Sequence, residues 1–428
     1  MKYIFNNFYI ADAVHDFFGN VIVEDGIITD VEIMHKGGSL PPPRSRPTVL
    51  HFPPLLGAAP PNPQIFDGGN CYTLSAGFID MHSHFRDPGF TNKETLQTAC
   101  AAAAKGGYTT VVCMANTNPV TDTLELAQSI KSRADLLGLI DLYPAVSLTK
   151  KMQGAELSEI LTQPMQQNTK QTVRLLSEDG KDVANEKLFK DAFTHAAKLD
   201  LPVSCHCDLN GEDAATERAI ETANGTGCHL HIAHVSTAIA LNYIAKSQKK
   251  NSSITCEATP HHIALTIEDA KKLGSATFGK VAPPLQSESD RLAIIEGLKN
   301  GTINVLACDH APHTSQDKLN GAPGFSGIET SFSVCYTVLV KENNFSLQKL
   351  FSLLSASPAH LLGFSDRGLI QKGMRADITI IDTNTESTLT ASDVQNFYSL
   401  GVNSPYIGKT LCAKVLLTLC AGQITYVM

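Results

Sequence analysis

Eight short runs of β-branched and other apolar residues alternate with amphipathic or alanine-rich stretches along this 428-residue chain. This alternation constrains the fold most, because strands separated by helices pair in parallel. The predicted strands are 77–85, 109–116, 141–148, 172–179, 202–207, 229–236, 254–259 and 303–309. Near-continuous apolar strands need cover on both faces, so the pattern predicts an α/β fold with a TIM-like (β/α)8 barrel. A doubly wound open sheet is the alternative, but no G-x-G-x-x-G follows the first strand.

Helices are predicted between these strands from the spacing of apolar residues. Their ranges are 93–105, 124–137, 186–199, 214–224, 237–249 and 288–299. The first is expected to begin with a capping box formed by Thr91 and Glu94 and to end at Gly106.

Both ends of the chain carry strand patterns without intervening helices. Short strands are predicted at 21–24 and 27–33, and again at 377–381, 414–419 and 423–427. Neither end alone has enough strands for a stable sheet. We therefore expect one small β-sandwich domain built from residues 1–75 and 365–428, beside a barrel of residues 76–364.

Proline is concentrated between residues 36 and 70, which hold nine of the 21 prolines. That density excludes a regular helix or a central strand. The stretch is interpreted as an irregular surface insertion, with a proline-motif ligand site as the less favoured reading.

Charge and cysteine content limit the classes of partner and compartment. The net charge of −8, without long runs of one sign, argues against a nucleic-acid or anionic-membrane surface. No stretch of 18 apolar residues predicts a membrane span, and the first twenty residues lack a signal-peptide pattern. The 11 cysteines form no C-x-x-C array, which favours a reducing, cytoplasmic compartment.

Imidazoles and carboxylates follow five of the eight predicted strands. Catalytic groups in such barrels stand at the carboxyl ends of the strands. The candidate metal ligands are His82, His84, Asp179, His206, His234 and Asp309. Any one of these histidines alone would usually be a core residue, but four histidines and two aspartates at one end of a barrel are costly to bury without a shared partner. The set predicts a metal site, because imidazole and carboxylate suit a borderline metal such as zinc.

Several motifs from residue 75 onwards resemble those of the dihydroorotases in the amidohydrolase superfamily. They are G-F-I-D-M-H-S-H-F-R-D-P-G at 77–89, M-A-N-T-N-P at 114–119, H-I-A-H-V-S-T at 231–237, T-P-H-H at 259–262 and D-H-A-P-H-T at 309–314. Many superfamily members bridge two metals with a carboxylated lysine on the fourth strand. That strand contains no lysine here, and Asp179 resembles the bridging aspartate of the bacterial type I dihydroorotases, while Glu178 is expected to point elsewhere.

The resemblance implies two Zn²⁺ ions per subunit and assigns each predicted ligand. His82 and His84 would hold one zinc with Asp309, and His206 and His234 the other. Asp309 would also be the catalytic residue, taking a proton from the attacking water and returning it to the leaving ring nitrogen. The implied reaction is the reversible hydrolysis of dihydroorotate to carbamoyl aspartate in pyrimidine biosynthesis.

The same resemblance assigns Arg86, Asn116 and His313 to binding the substrate. Arg86 suits a carboxylate, because its planar fork can bind one through two hydrogen bonds. A salt bridge from Arg86 to Asp87, a loop hydrogen bond from Asn116 and an exposed loop around His313 are the alternatives.

Two positions depart from the family pattern, and two other functions stay open. Ala282 and Gln286 stand where the family usually has an asparagine and a basic residue. The chain could instead hydrolyse a hydantoin, dihydropyrimidine or allantoin, or it could be a non-catalytic partner of aspartate transcarbamoylase. A homodimer and an association with that enzyme are the protein partners considered.

Overall fold

The structure is a computed structural model that describes residues 1–36, 63–166, 168–273 and 278–428. Its strands in these ranges are β1 (Lys2–Ala11), β2 (Asp16–Glu24), β3 (Ile27–Lys36), β4 (Gln64–Asp67), β5 (Thr73–Ala76), β6 (Phe78–Ser83), β7 (Tyr108–Cys113), β8 (Asp141–Pro144), β9 (Leu176–Ser177), β10 (Val203–Cys205), β11 (Leu230–Ile232), β12 (Ile254–Ala258), β13 (Val305–Leu306), β14 (Ile378–Thr388), β15 (Thr410–Cys420) and β16 (Gln423–Val427).

The central strands β6 to β13 form the predicted parallel barrel. β6, β7 and β8 make one parallel sheet, and β9 to β13 make a second one in chain order. Single bridges from Val146 to Leu176 and from Ser83 to His310 join the two sheets. All eight predicted strands are present, although each is shorter than the apolar run that predicted it. The fold class is confirmed, and the catalytic end of the barrel is defined by the carboxyl ends of these strands.

Fifteen α-helices lie between the strands along the described parts of the chain. They are α1 (Leu96–Lys105), α2 (Leu124–Leu137), α3 (Glu159–Thr162), α4 (Thr169–Thr172), α5 (Glu186–Leu199), α6 (Glu212–Thr226), α7 (Ala238–Gln248), α8 (Pro260–Ala264), α9 (Ile267–Lys272), α10 (Glu288–Asn300), α11 (Ser315–Leu319), α12 (Ser331–Cys335), α13 (Leu347–Phe351), α14 (Ser357–Leu361) and α15 (Ala391–Gln395). Short π-helical segments, Tyr336–Glu342 and Ser352–Ala356, continue α12 and α13, and a 3-10 turn spans Lys150–Met152. Within the described ranges, no helix combines the length and apolarity that a bilayer crossing needs.

The start of the first helix corrects a prediction. α1 begins after Thr95, whose hydroxyl accepts a hydrogen bond from the Thr98 amide, and Thr98 completes the capping box. The predicted box from Thr91 to Glu94 is wrong, because Glu94 is fully buried and binds Ser399 and the Leu400 amide instead. The predicted end at Gly106 is confirmed.

The two ends of the chain share one mixed sheet, as expected. Its strand order is β16-β15-β14-β5-β1-β2-β3, with β4 paired to β1 at its side. The link between the ends is the antiparallel pairing of β5 with β14. The interpretation of residues 36–70 as irregular is wrong at β4, a short strand that pairs only with β1 among the described strands. Residues 37–62 of that stretch lie outside the described residues. The domain boundaries after residues 75 and 364 stay predictions.

Asp141, at the start of β8, connects the barrel to the segment that leads into β14. Its carboxylate accepts hydrogen bonds from Lys131 Nζ at 2.8 Å, Arg367 Nη1 at 2.7 Å and Arg375 Nη1 at 2.6 Å. Burial acts to raise the pKa of Asp141, but the three cations outweigh it and the pKa is lowered. The carboxylate is therefore ionised throughout the neutral range and stabilises the folded state there.

Replacing Asp141 by asparagine is expected to lower the free energy of unfolding by about 3 kcal/mol, because it removes the carboxylate that three largely buried cations share. A lowered pKa stabilises the folded state above the ordinary pKa of aspartate and stops doing so as pH falls through the folded value. The loss should therefore be constant between about pH 5 and pH 8. Urea unfolding of both proteins across that range measures it.

Asp135→Asn is the matched control, since this half-exposed carboxylate also binds Lys131, at 3.3 Å. Its loss should change stability by less than about 0.5 kcal/mol. Equal effects of the two substitutions would contradict a special role for Asp141.

Candidate active site

The six predicted ligands lie together at the carboxyl ends of the barrel strands. His82 belongs to β6 and His84 follows it, while the others follow β9, β10, β11 and β13 by one to three residues. Two groups of side chains bring their ligand atoms within 4.8 Å of one another. The first group is His82, His84 and Asp179, and the second is Asp179, His206 and His234. The two groups share Asp179.

The carboxylate of Asp179 lies between the histidines of both groups. Its Oδ1 is 3.1 Å from His82 Nε2 and 3.5 Å from His206 Nδ1, and its Oδ2 is 3.5 Å from His84 Nε2. Glu178 points away, as expected, and accepts hydrogen bonds from the hydroxyl and amide of Thr149. A single carboxylate in this position can therefore serve two cations.

Asp309 completes the centre on the side of the first two histidines. Its Oδ1 is 3.2 Å from His84 Nε2 and 3.8 Å from His82 Nε2. All of these side chains are buried or nearly so, which excludes bulk water from most of the centre.

The donor set fits divalent cations. Two ring nitrogens at the centre, His82 Nε2 and His234 Nδ1, are buried and form no well-aligned hydrogen bond in the described chain, although His82 Nε2 lies 3.1 Å from Asp179 Oδ1. His206 Nδ1 and His234 Nε2 are 2.7 Å apart. Buried polar atoms normally have partners, and imidazole with carboxylate is the ligand chemistry of zinc and similar metals.

Glu257, for which the sequence predicted no role, is a buried carboxylate that holds His82. Glu257, on β12, has no exposed surface, and its Oε1 lies 2.7 Å from His82 Nδ1. Its other oxygen lies 3.1 Å from His231 Nε2. The N–H at His82 Nδ1 donates to this carboxylate, which orients the ring so that Nε2 faces the centre. A glutamate inside an apolar strand was the available signal, because a buried carboxylate needs partners.

Asn116 contacts the ligand side chains directly. Its Oδ1 is 3.0 Å from His84 Nδ1, and its Nδ2 donates to Asp179 Oδ2 at 3.0 Å. It thus ties a histidine of the first group to the shared carboxylate.

Opposite charges set the pKa values at the centre. Burial acts to raise the pKa of Asp179 and Asp309, but the neighbouring His82 and His84 hold both below the ordinary value. Burial acts to lower the pKa of His82, but Asp179 and Glu257 raise it well above 6.5. The centre therefore keeps its carboxylates ionised and is suited to binding positive charge.

Arg86 lies at the mouth of this centre without a carboxylate partner. Asp87 does not bind it, because both Asp87 oxygens accept hydrogen bonds from Arg133 at 2.9 Å. In the described parts of the chain, Arg86 forms no ion pair within 4.0 Å, and its Nε donates to the Pro312 carbonyl at 3.4 Å. Burial lowers its pKa only to about 10, so the guanidinium stays charged at neutral pH.

His313 stands beside Arg86, at 3.3 Å from its Nη2, and lies 2.9 Å from the carbonyl of Pro323. Burial and the Arg86 charge lower the pKa of His313 to about 3, so its ring is neutral. Its Nδ1 is buried and has no hydrogen-bond partner within the described ranges.

All three predicted substrate residues line one cavity with the centre. The cavity measures about 340 Å³ and also includes His84, Asp179, His206, His234 and Asp309. Ala282, where the family usually has asparagine, and Asp208 also line this cavity. A larger cavity of about 560 Å³ lies near the amino ends of β10 to β12 and contains none of these residues.

Three residues of the site have left-handed backbone conformations. Arg86, His234 and Asp309 have φ angles of 60°, 32° and 45°, in the region that side chains other than glycine rarely adopt. Such conformations persist where the surrounding structure fixes them, and they are common at functional sites.

Known proteins match this chain along its length. The amidohydrolase family model matches residues 73–425. The chain is 34% identical to a dihydroorotase of Clostridium botulinum over all of both chains. It is 38% identical to a dihydroorotase of Clostridium acetobutylicum over 85% of this chain and 89% of that protein.

Solved structures agree with the fold. An L-hydantoinase (dihydropyrimidinase) from Arthrobacter aurescens superimposes with a TM-score of 0.83 at 22% identity, over 100% of this chain and 97% of that one. A D-hydantoinase superimposes with a TM-score of 0.80 at 20% identity, over 100% and 96%. These likenesses concern the fold, whereas the sequence matches are close enough to define the family. The chain belongs to the dihydroorotases of the amidohydrolase family.

Proposed function

We propose that this protein is a dihydroorotase with two zinc ions per subunit, which interconverts dihydroorotate and carbamoyl aspartate. The observation that carries the substrate assignment is Arg86, a charged guanidinium that faces the cavity without a carboxylate of its own. Dihydroorotate carries a carboxylate, whereas hydantoin, dihydropyrimidine and allantoin rings do not. A guanidinium binds a carboxylate through two charge-assisted hydrogen bonds.

His82, His84 and Asp309 would hold one cation, His206 and His234 the other, and Asp179 both. The buried ring nitrogens without a well-aligned hydrogen bond and the shared carboxylate support this assignment. When bound, two zinc ions would polarise the substrate carbonyl and lower the pKa of water towards ~7.

Asp309 is the proposed proton carrier. Its ionised carboxylate lines the cavity, where it can take a proton from the attacking water and return it to the ring nitrogen. Arg86 and the partnerless Nδ1 of His313 would orient the carboxylate and ring, and Asn116, although it binds His84 and Asp179, still reaches the cavity. All six candidate metal ligands lie together in this chain, which argues against a non-catalytic partner protein.

A substrate panel tests the function. Purified protein loaded with zinc should hydrolyse dihydroorotate at least about 100-fold more efficiently than hydantoin, dihydrouracil or allantoin, because only dihydroorotate engages Arg86. Metal analysis should give two zinc ions per chain. Faster turnover of hydantoin would favour the alternative that this is a hydantoinase-like enzyme.

Replacing Arg86 by glutamine is expected to lower kcat/KM for dihydroorotate by about 100-fold, the value of a charged hydrogen-bonded pair. Residual turnover of dihydrouracil, which lacks the carboxylate, should change by less than about threefold. Arg86→Lys keeps the positive charge but not the planar fork of the guanidinium. Its kcat/KM for dihydroorotate should therefore lie between that of the unaltered enzyme and that of Arg86→Gln. An equal loss on both substrates would mean that Arg86 shapes the site rather than binding the carboxylate.

Assembly and compartment are further proposals. A cytoplasmic location is supported by the 11 cysteines, all of which are free thiols. A homodimer and an association with aspartate transcarbamoylase stay predictions, which light scattering alone and with that enzyme would test.

A further inference from the structure

Lys318, in the short helix α11, is a fully buried lysine near the cavity. Its Nζ donates to three main-chain carbonyls: Lys280 at 3.0 Å, Ala322 at 2.9 Å and Gly324 at 2.9 Å. It also lies 5.4 Å from the centre of the Phe325 ring. An ammonium has three N–H donors and no acceptor, so this arrangement uses its full hydrogen-bonding capacity.

The three carbonyls belong to two loops that form one wall of the cavity. The Lys280 carbonyl lies two residues before Ala282, and the other two flank Pro323. Ala282, Pro323 and Gly324 line the same cavity as the ligand side chains. The amide of Gly324 also donates to the Lys280 carbonyl at 3.0 Å, so Lys318 lies at the junction of the two loops.

The same loop fixes the substrate-side histidine. The Pro323 carbonyl lies 2.9 Å from His313 Nε2, and Asn403 donates to the Gly324 carbonyl at 2.9 Å. Gly324 has a φ of +131° and approaches Ala311 closely, a path that a residue with a side chain could not take. The path of residues 322–325 therefore sets where His313 and the cavity wall stand.

No apolar side chain can replace the ammonium without cost. A methionine of similar length would remove this donor from all three carbonyls. The Lys280 and Gly324 carbonyls would keep the Gly324 amide and Asn403 as donors. The Ala322 carbonyl would lose its Lys318 hydrogen bond, and carbonyls that lose a donor move towards water or other donors. Burial lowers the pKa of Lys318 to about 8, so it keeps its third proton at neutral pH.

We propose that Lys318 is a positioning residue for substrate binding, which holds the loops of Ala282 and of Pro323–Gly324 in the shape that receives the substrate ring and carboxylate. The inference rests on the proposed function for its substrate. Lys318 touches neither the proposed ligands nor the cavity itself, so its effect passes through the backbone.

Lys318→Met tests this role by a split between kinetic constants. KM for dihydroorotate and for carbamoyl aspartate should rise about 10-fold or more, while kcat changes by less than about threefold and zinc stays at two per chain. Lys280→Met is the matched control, because it removes a nearby exposed lysine and keeps the carbonyl that Lys318 binds. Its KM should stay within about twofold of the unchanged enzyme. An unchanged KM in Lys318→Met, or a fall in kcat with KM unchanged, would overturn the proposal.

Hydrogen exchange gives a second measurement that needs no substrate. In zinc-loaded Lys318→Met, amides of residues 278–284 and 311–327 should exchange at least about tenfold faster, with the barrel strands unchanged. Uniformly faster exchange would mean a purely structural role and would overturn the proposal. If Lys318→Met does not fold, Lys318→Gln, which keeps two N–H donors, should show the same local increase in exchange to a smaller degree. No local increase in Lys318→Gln would also overturn the proposal. If the unaltered protein does not hydrolyse dihydroorotate, the proposed function is wrong. The exchange pattern alone then still decides whether Lys318 positions the two loops.

Discussion

Asp309→Asn is expected to lower kcat for dihydroorotate by about 1000-fold or more while leaving the folded structure intact. The amide has the shape of the carboxylate, but it cannot take a proton from water and pass it to the ring nitrogen. Proton transfer by a positioned side chain contributes about 10²- to 10⁴-fold to rates. Because the carboxylate lies within 4 Å of His82 and His84, zinc per chain must be measured with the rate.

Calorimetry separates the contribution of Asp309 to proton transfer from its contribution to binding zinc and substrate. If the variant still binds dihydroorotate with a Kd within about tenfold and keeps two zinc ions, the lost rate belongs to proton transfer. Asp200→Asn is the matched control, since that exposed carboxylate pairs with Lys170 far from the centre, and it should leave kcat unchanged. A residual rate above about one tenth in Asp309→Asn would mean that another group carries the proton.

The helices were predicted well where local chemistry marks both ends. α2 and α5 occupy the predicted residues because Thr123 and Asn185 cap their first turns, and Gly138 and Asp200 end them in the left-handed conformation. The strands were predicted in the right places but too long. Apolar runs report burial, and burial continues past the last ladder hydrogen bond, where the chain turns over the barrel rim. Thr172, predicted as the first residue of a strand, is instead the last residue of the short helix α4.

The meeting of the six candidate ligands could be predicted because parallel strands place their carboxyl ends at one edge. Which other polar residues support them could not. Glu257 lies 175 residues from His82 in the chain, and no periodicity indicates that the two side chains face each other across the barrel. Glu94 satisfied a local capping rule, yet its carboxylate lies 3.5 Å from His310 and binds Ser399, 305 residues away. Such contacts depend on how the barrel closes, which local patterns do not encode.

Asp179→Asn is expected to prevent the two-metal centre from forming and to lower turnover by about 1000-fold or more. The carboxylate is the one group that belongs to both candidate ligand sets, and its charge offsets the repulsion between two adjacent dications. An asparagine keeps one weak oxygen ligand and no charge. Equilibrium dialysis against buffered zinc should therefore give at most one tightly bound zinc per chain instead of two.

Glu178→Gln provides the matched comparison, because the neighbouring carboxylate is also buried but binds the Thr149 amide and hydroxyl. This variant should lose stability, since it alters a buried hydrogen-bonded carboxylate, yet keep two zinc ions and kcat within about tenfold. Loss of zinc in Glu178→Gln as severe as in Asp179→Asn would mean that general damage to the loop after β9, rather than the shared charge, governs metal binding. Retention of two zinc ions in Asp179→Asn would remove the bridging role altogether.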